Sequence, residues 1–159
     1  MLTTICRFKL NAHNLFSWEL GTRAQAILEL YVPSYSVFSP NLLPPPPLLP
    51  SNLSDALSPL FSIAHNVVAN RPVSNGNITG PQPLISDSSA GDPASLGVAV
   101  LLSNWTGRSA VDGLNYSGAA TDQLKFLYQN VPKTPDGAIS HRIDEVELWQ
   151  VATLPETIH

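Results

Sequence analysis

Cysteine is nearly missing from this chain: Cys6 stands alone among 159 residues. A single thiol makes no internal disulfide and no cysteine-based metal site. Charge is scarce as well. Lys, Arg, Asp and Glu supply 13% of the residues, about half of what soluble domains usually carry. The net charge of −4 comes with no cluster of Lys or Arg, which argues against nucleic acid as a partner. No apolar run approaches the roughly 20 residues of a membrane span, so no membrane partner is expected. Strict apolar/polar alternation never persists, which leaves no strong strand. The opening MLTTICRFKLNAHNLF is interrupted by Arg7, Lys9 and His13 and does not form a secretion signal.

Apolar residues, by contrast, make up 43% of the chain, enough for a packed globular core. Asparagine is frequent, and four N-x-Ser/Thr sequons occur, at Asn52, Asn77, Asn104 and Asn115. Their excess points to a secreted protein, with a leader that lies outside the sequence as written.

Helical spacing is the dominant pattern. Leu20, Ala24, Ile27, Leu28 and Tyr31 fall on one helix face between Phe16 and Tyr31, and Pro33 ends that helix. In SVFSPNLLPPPPLLP the prolines 44–47 cannot be helical and predict a polyproline II connection. Such a segment also suits an SH3 or WW domain, although no flanking Arg or Lys supports peptide recognition. Ser58-Pro59 reads as the start of a second helix, with Leu60, Ile63, Ala64, Val67 and Val68 as its buried stripe. A long loop, Val73 to Ser89, follows. Asp92-Pro93 then reads as N-cap and first residue of a helix that buries Leu96, Val100, Leu101 and Trp105, with Gly107 ending it. The last strong helix runs from about Tyr116 to Gln129 on Tyr116, Ala120, Leu124 and Leu127. KTPDG makes a turn, and a short helix is expected over 142–149. The pattern predicts an all-α protein built of helical hairpins.

Carboxylates are the first candidates for chemistry, because proton transfer to a sugar needs an acid held protonated near neutral pH. Asp92, Asp122, Asp144, Glu145 and Glu147 are the options. From the residues alone Asp92 is a helix cap, Asp122 a polar residue on an exposed face, and the last three a solvated helix face. His141, after a glycine-containing turn, suits a ligand, a base or a substrate contact. No second histidine stands at metal spacing. No G-x-S-x-G elbow supports a serine hydrolase. Trp18, Trp105 and Trp149 suit stacking on sugar rings as well as core packing.

The stretches FSWELGTRAQAILEL, PSYSVFSP, GDPASLGVAVLL, DGLNYSGAATDQLKFLY and VPKTPDGAISHRIDEVELW together resemble the fungal six-hairpin glycosidases. These are related to glycoside hydrolase families 88 and 105, the unsaturated glucuronyl and rhamnogalacturonyl hydrolases. The resemblance runs from about Phe16 to Trp149 and lies in order and spacing rather than in any one motif. It implies an (α/α)6 barrel of twelve helices with a pocket at one end. It also implies removal of a 4,5-unsaturated uronic acid from the end of a lyase-generated oligosaccharide, with no metal or organic cofactor. Carried over residue by residue, Asp92 resembles the first active-site Asp, His141 the pocket histidine, and Trp149 the tryptophan that precedes the catalytic acid. Here the chain departs from the pattern. The position expected to hold the acid is Val151, which has no proton to transfer.

The resulting expectation has three parts: an undefined N-terminus over 1–15, the N-terminal portion of a glycosidase domain over 16–149, and a divergent tail over 150–159. No cofactor is expected, the oligosaccharide is the expected partner, and hydrolysis is not expected of this chain. Nothing in the sequence specifies an oligomeric state.

Overall fold

The computed structural model describes residues 17–36, 38–39, 51–72, 80–144 and 146. Among them the protein is all-α, with two isolated antiparallel bridges and no strand. Trp149, Val151, the prolines 44–47, and Glu145 and Glu147 lie outside the described residues.

Helix α1, Ser17–Tyr31, turns its small residues Ser17, Gly21 and Ala24 and then Leu28 inward. Its end is tightened by a 3-10 turn over Pro33–Tyr35, where Pro33 cannot continue the α-helical ladder. Tyr31, expected on the buried stripe, is 53% exposed, and Val32 takes the core position instead at 2%.

Helix α2 spans Ser51–Ala69, so the expected start at Ser58-Pro59 is wrong by about two turns. Pro59 sits inside the helix and on its exposed side. A proline there removes one backbone hydrogen bond and costs about 3 kcal/mol in an isolated helix. Burial overrides that cost: Leu57 and Leu60 flank Pro59 at 0% and 1% exposure, and Leu53 and Ala56 pack on the same core. The stripe Leu60, Ile63, Ala64 and Val67 is buried as expected.

Three short helices follow: α3 over Gly91–Ala94, α4 over Gly97–Trp105 and α5 over Ser109–Asp112. The long helix α6 covers Tyr116–Asn130, and Asn115 caps it by accepting the Gly118 N–H at 2.9 Å. Two leucines assigned to buried faces are instead exposed, Leu101 at 53% and Leu124 at 66%. In α6 the inward face is built on Ala119, Ala120 and Gln123, and Leu124 stands about 100° round from Gln123. In α4 it is built on Ala99, Val100 and Ser103, which leaves Leu101 and Trp105 on the far side. The expected helix over 142–149 does not form at 142–144, where Arg142 makes a bridge with Ser89.

One core joins the pieces. Helix α1 packs on α2, α2 on α4, and α4 on α6, around Leu28, Leu57, Leu60, Leu96, Val100 and Tyr116. A smaller cluster of Ala90, Phe126 and Val131 sits beside it, covered by Leu127, Ile139 and Ile143.

A polar knot links α2, α5 and α6. Asp112 accepts from Tyr116 Oη at 2.5 Å and from the Leu114 amide at 3.0 Å, and pairs with His65 Nδ1 at 3.1 Å. Partial burial pushes the Asp112 carboxyl up. The hydrogen bonds from Tyr116, Leu114 and His65 outweigh that and hold it down at about 2. Burial first, and then the bond to Asp112, raise the Tyr116 phenol well above its usual range. The two shifts act on opposite sides of neutrality. The Asp112 contribution is complete above the unfolded-state value near 4 and is lost as pH falls from there toward 2. The Tyr116 contribution is complete below about 10 and is lost above it, where the unfolded phenol ionises and the folded one does not. Urea midpoints measured across pH should therefore fall at both ends, and Tyr116→Phe should remove the alkaline loss. A Tyr116→Phe variant with the same alkaline fall as the parent would refute the assignment.

Candidate functional site

The segment 80–90 carries the site, and three tethers position it. Arg71, at the exit of α2, donates to Gln82 O at 3.1 Å. Gln123, buried in α6, accepts the Leu84 amide at 2.8 Å. Ser17 Oγ, at the start of α1, donates to Asp87 Oδ2. Irregular chain is thus fixed at three points, by side chains of α1 and α6 and by Arg71 just past the end of α2.

Asp87 then shapes the turn that follows by accepting the Ser89 amide on Oδ1 at 3.1 Å, an Asx turn. Ser89 is the centre of the arrangement. Its hydroxyl accepts the Asp92 amide at 3.1 Å and lies 3.2 Å from His141 Nε2. One hydroxyl thus meets a backbone amide and an imidazole nitrogen at the same time. The backbone reinforces the contact. The Ala90 N–H donates to His141 O at 2.6 Å, and the Ile143 N–H donates to Ser88 O at 3.1 Å. Gly91 stands beside the ring, where an added Cβ would lie 3.5 Å from Nδ1.

The backbone amide of Asp92 and the ring of His141, 49 positions apart in sequence, therefore meet the same Ser89 hydroxyl. Asp92 is half-buried and lies within the first turn of α3 rather than at its N-cap, which is Ala90. Ser89 performs the capping expected of Asp92. Trp149 and Val151 lie outside the described residues, so the full set of expected contacts is not placed.

The sequence reading missed Ser89 and Asp87. A signal for them exists in ISDSSAGDP, where Ser89 and Asp92 have the spacing of a capping box.

The other candidates separate from this site. Asp122 pairs with Arg71 at 2.8 Å and is half-buried, not a free surface carboxylate. Arg142 grips Asp144 with two hydrogen bonds of 3.0 Å, and those bonds hold the Asp144 carboxyl below the usual range. The Thr134 hydroxyl does the same to Asp136. Asp112, Asp136 and Asp144 are thus all moved away from the protonated state that a general acid needs. Trp18 and Trp105 are neither core residues nor neighbours of His141 in any described contact; they are 50% and 41% exposed. An open groove of about 510 Å³ lies between α1 and α3–α4, lined by Gly21, Gln25, Ala26, Phe38, Ser95 and Val98 among others. Neither Asp92 nor His141 lines it.

Among the described residues no three His, Cys, Asp or Glu side chains are grouped to hold a metal ion. No helix among them is long and apolar enough to cross a membrane. Compared with protein families, with curated proteins and with solved structures, the chain matches none.

Proposed function

We propose that this chain is a glycoside-hydrolase-like protein of the unsaturated-uronyl type that binds the sugar without cleaving it. Asp92 and His141 would be its contacts to an oligosaccharide that ends in a 4,5-unsaturated uronic acid. The observation that carries the reading is the Ser89 hydroxyl, which meets both the backbone amide of Asp92 and the ring of His141, so that the two residues expected in one pocket lie on either side of one serine. The pairing of helices α1 with α2 and α4 with α6 supports a hairpin arrangement of the (α/α)6 kind, and secretion fits the four sequons.

The chemistry explains why binding and cleavage part company. Hydration of the C4=C5 enol ether requires a proton delivered to C4 and water added at C5, after which the hemiketal opens and releases the sugar. A carboxylate such as Asp92 accepts hydrogen bonds from sugar hydroxyls, and an imidazole N–H donates to a carboxylate or hydroxyl. Neither role needs a proton to leave the protein. The proton donor is expected at position 151, where valine stands. Loss of a general acid removes roughly a hundredfold to ten-thousandfold in rate.

Incubation with the unsaturated disaccharide from lyase-treated pectin tests both halves. The enol-ether ultraviolet absorbance should stay constant, while calorimetry should record binding that Asp92→Ala and His141→Ala each weaken by about tenfold or more. A falling absorbance would show that another acid delivers the proton. Absence of binding heat over a range of temperatures would end the carbohydrate reading.

A further inference from the structure

We infer that Asn115 is a site of N-linked glycosylation, carrying an oligosaccharide on Nδ2 in most chains that enter a secretory lumen. The inference is independent of the uronyl reading.

The sequon Asn115-Tyr116-Ser117 occupies the junction between an irregular turn and α6. Asn115 and Ser117 are both exposed, while Tyr116 between them is 1% exposed and anchors the tripeptide in the core. The two side chains that define the sequon are in contact: Ser117 Oγ donates to Asn115 Oδ1 at 3.2 Å. Oδ1 also takes the Gly118 amide, so the protein uses the carbonyl oxygen and makes no hydrogen bond to Nδ2 among the described contacts. Gly118 provides the room for this. A Cβ there would stand 2.4 Å from Nδ2.

This division of labour makes the modification compatible with the fold. In the transfer, Nδ2 bonds to C1 of the first N-acetylglucosamine of a polyprenyl-pyrophosphate-linked oligosaccharide. The bond from C1 to the pyrophosphate oxygen breaks, polyprenyl pyrophosphate leaves, and one Nδ2 proton passes to a base of the transferase. The product is still an amide with a free carbonyl oxygen. The helix cap, which uses only that oxygen, survives.

The second described sequon offers a contrast. Asn104 is half-buried within α4, beside the fully buried Ser103. Its hydroxyl partner, Thr106 Oγ1, donates back to Leu102 O at 2.8 Å and does not reach the asparagine. A glycan on Asn104 would have to fit against the α4 surface, so folded chains should be unmodified there.

The test is secretion of the full chain from a eukaryotic host behind a cleavable leader. Enzymatic deglycosylation in heavy-oxygen water then marks each occupied asparagine by mass. The tryptic peptide 109–125 contains Asn115 as its only sequon. It should carry the mark in most molecules, and in none after Ser117→Ala, a change that keeps the Gly118-to-Asn115 cap. Asn104 should be unmarked. Cell-free translation with microsomes supplies a reading that needs no folded product: Ser117→Ala should remove one glycan step from the gel pattern. An unmarked Asn115 in secreted chain, or a gel pattern indifferent to Ser117, would overturn the assignment.

Discussion

Alanine at position 21 should destabilise the protein by about 1–3 kcal/mol, although it replaces a glycine in the middle of a helix. Helix propensity alone predicts the opposite sign, a gain of about 1 kcal/mol. The difference lies in what Gly21 faces. A Cβ there would stand 1.9 Å from Ser95 Oγ, 2.7 Å from Ser95 Cβ and 3.1 Å from the Ser95 carbonyl carbon. Rotating the serine hydroxyl relieves only the first of these, so α1 and the α3–α4 turn would have to separate. Chemical denaturation of three variants decides the matter. Gly21→Ala should lose stability, and adding Ser95→Gly should recover most of the loss, as expected for two positions in direct contact. Gly97→Ala, where an added Cβ meets nothing within 4 Å, should be neutral or slightly stabilising. Because Ser95 Oγ also donates to Asp92 O, the same separation would shift Asp92 away from Ser89. A stable Gly21→Ala chain would mean that the helices do not approach as described.

Leu28→Ala should cost more, about 3 kcal/mol. Leu28 has no exposed surface and lies at the contact of α1 with α2. Removing its three outer carbons loses their transfer free energy and leaves a cavity that close-packed neighbours fill only in part. For a chain of this size that corresponds to a fall in melting temperature of roughly 6–12 °C. Leu30→Ala on the same helix is the control, since Leu30 is 71% exposed and should change stability little. Equal losses at 28 and 30 would place the buried face of α1 wrongly.

How far these contacts were legible in the sequence depended on which physical signal carried them. Periodic large apolar residues revealed α1, the later part of α2, and Leu96 and Val100. In α6 the same signal found Tyr116 and Ala120, which are buried, but misled at Leu124, because Ala119 and Gln123, whose side-chain amide has a specific task, share the inward face with Tyr116 and Phe126. Apolar size then marked Leu124, which points outward. Proline misled in α2. Its local cost is real, but Leu53, Ala56 and Leu57 on the N-terminal side of Pro59 are worth more when buried. Local rules see the cost and cannot see the compensation.

The site divided in the same way. Asp92 and His141 were singled out from a resemblance, and the fold brings them to one serine. Ser89 itself escaped notice because a serine in a polar loop has many bland explanations. Only the arrival of the 138–144 segment, made by the turn at Thr134–Gly137 and the amide of Ser140 on Pro132 O, gives it a second partner. That pairing is long-range and leaves no local trace. The caps could have been read more closely: Ser89 with Asp92, and Asn115 with Gly118, both show the spacing of a helix start.

The three tethers on the segment 80–90 have a mechanical meaning. Chain between helices usually breathes independently of them, and binding loops often use that freedom to close over a ligand. Here Leu84 hangs from α6, Gln82 from the end of α2, and Asp87 from the start of α1. This stretch behaves as a strut rather than a hinge: it keeps its place until the helices themselves come apart, and whatever molecule meets Asp92 and His141 meets a surface already set.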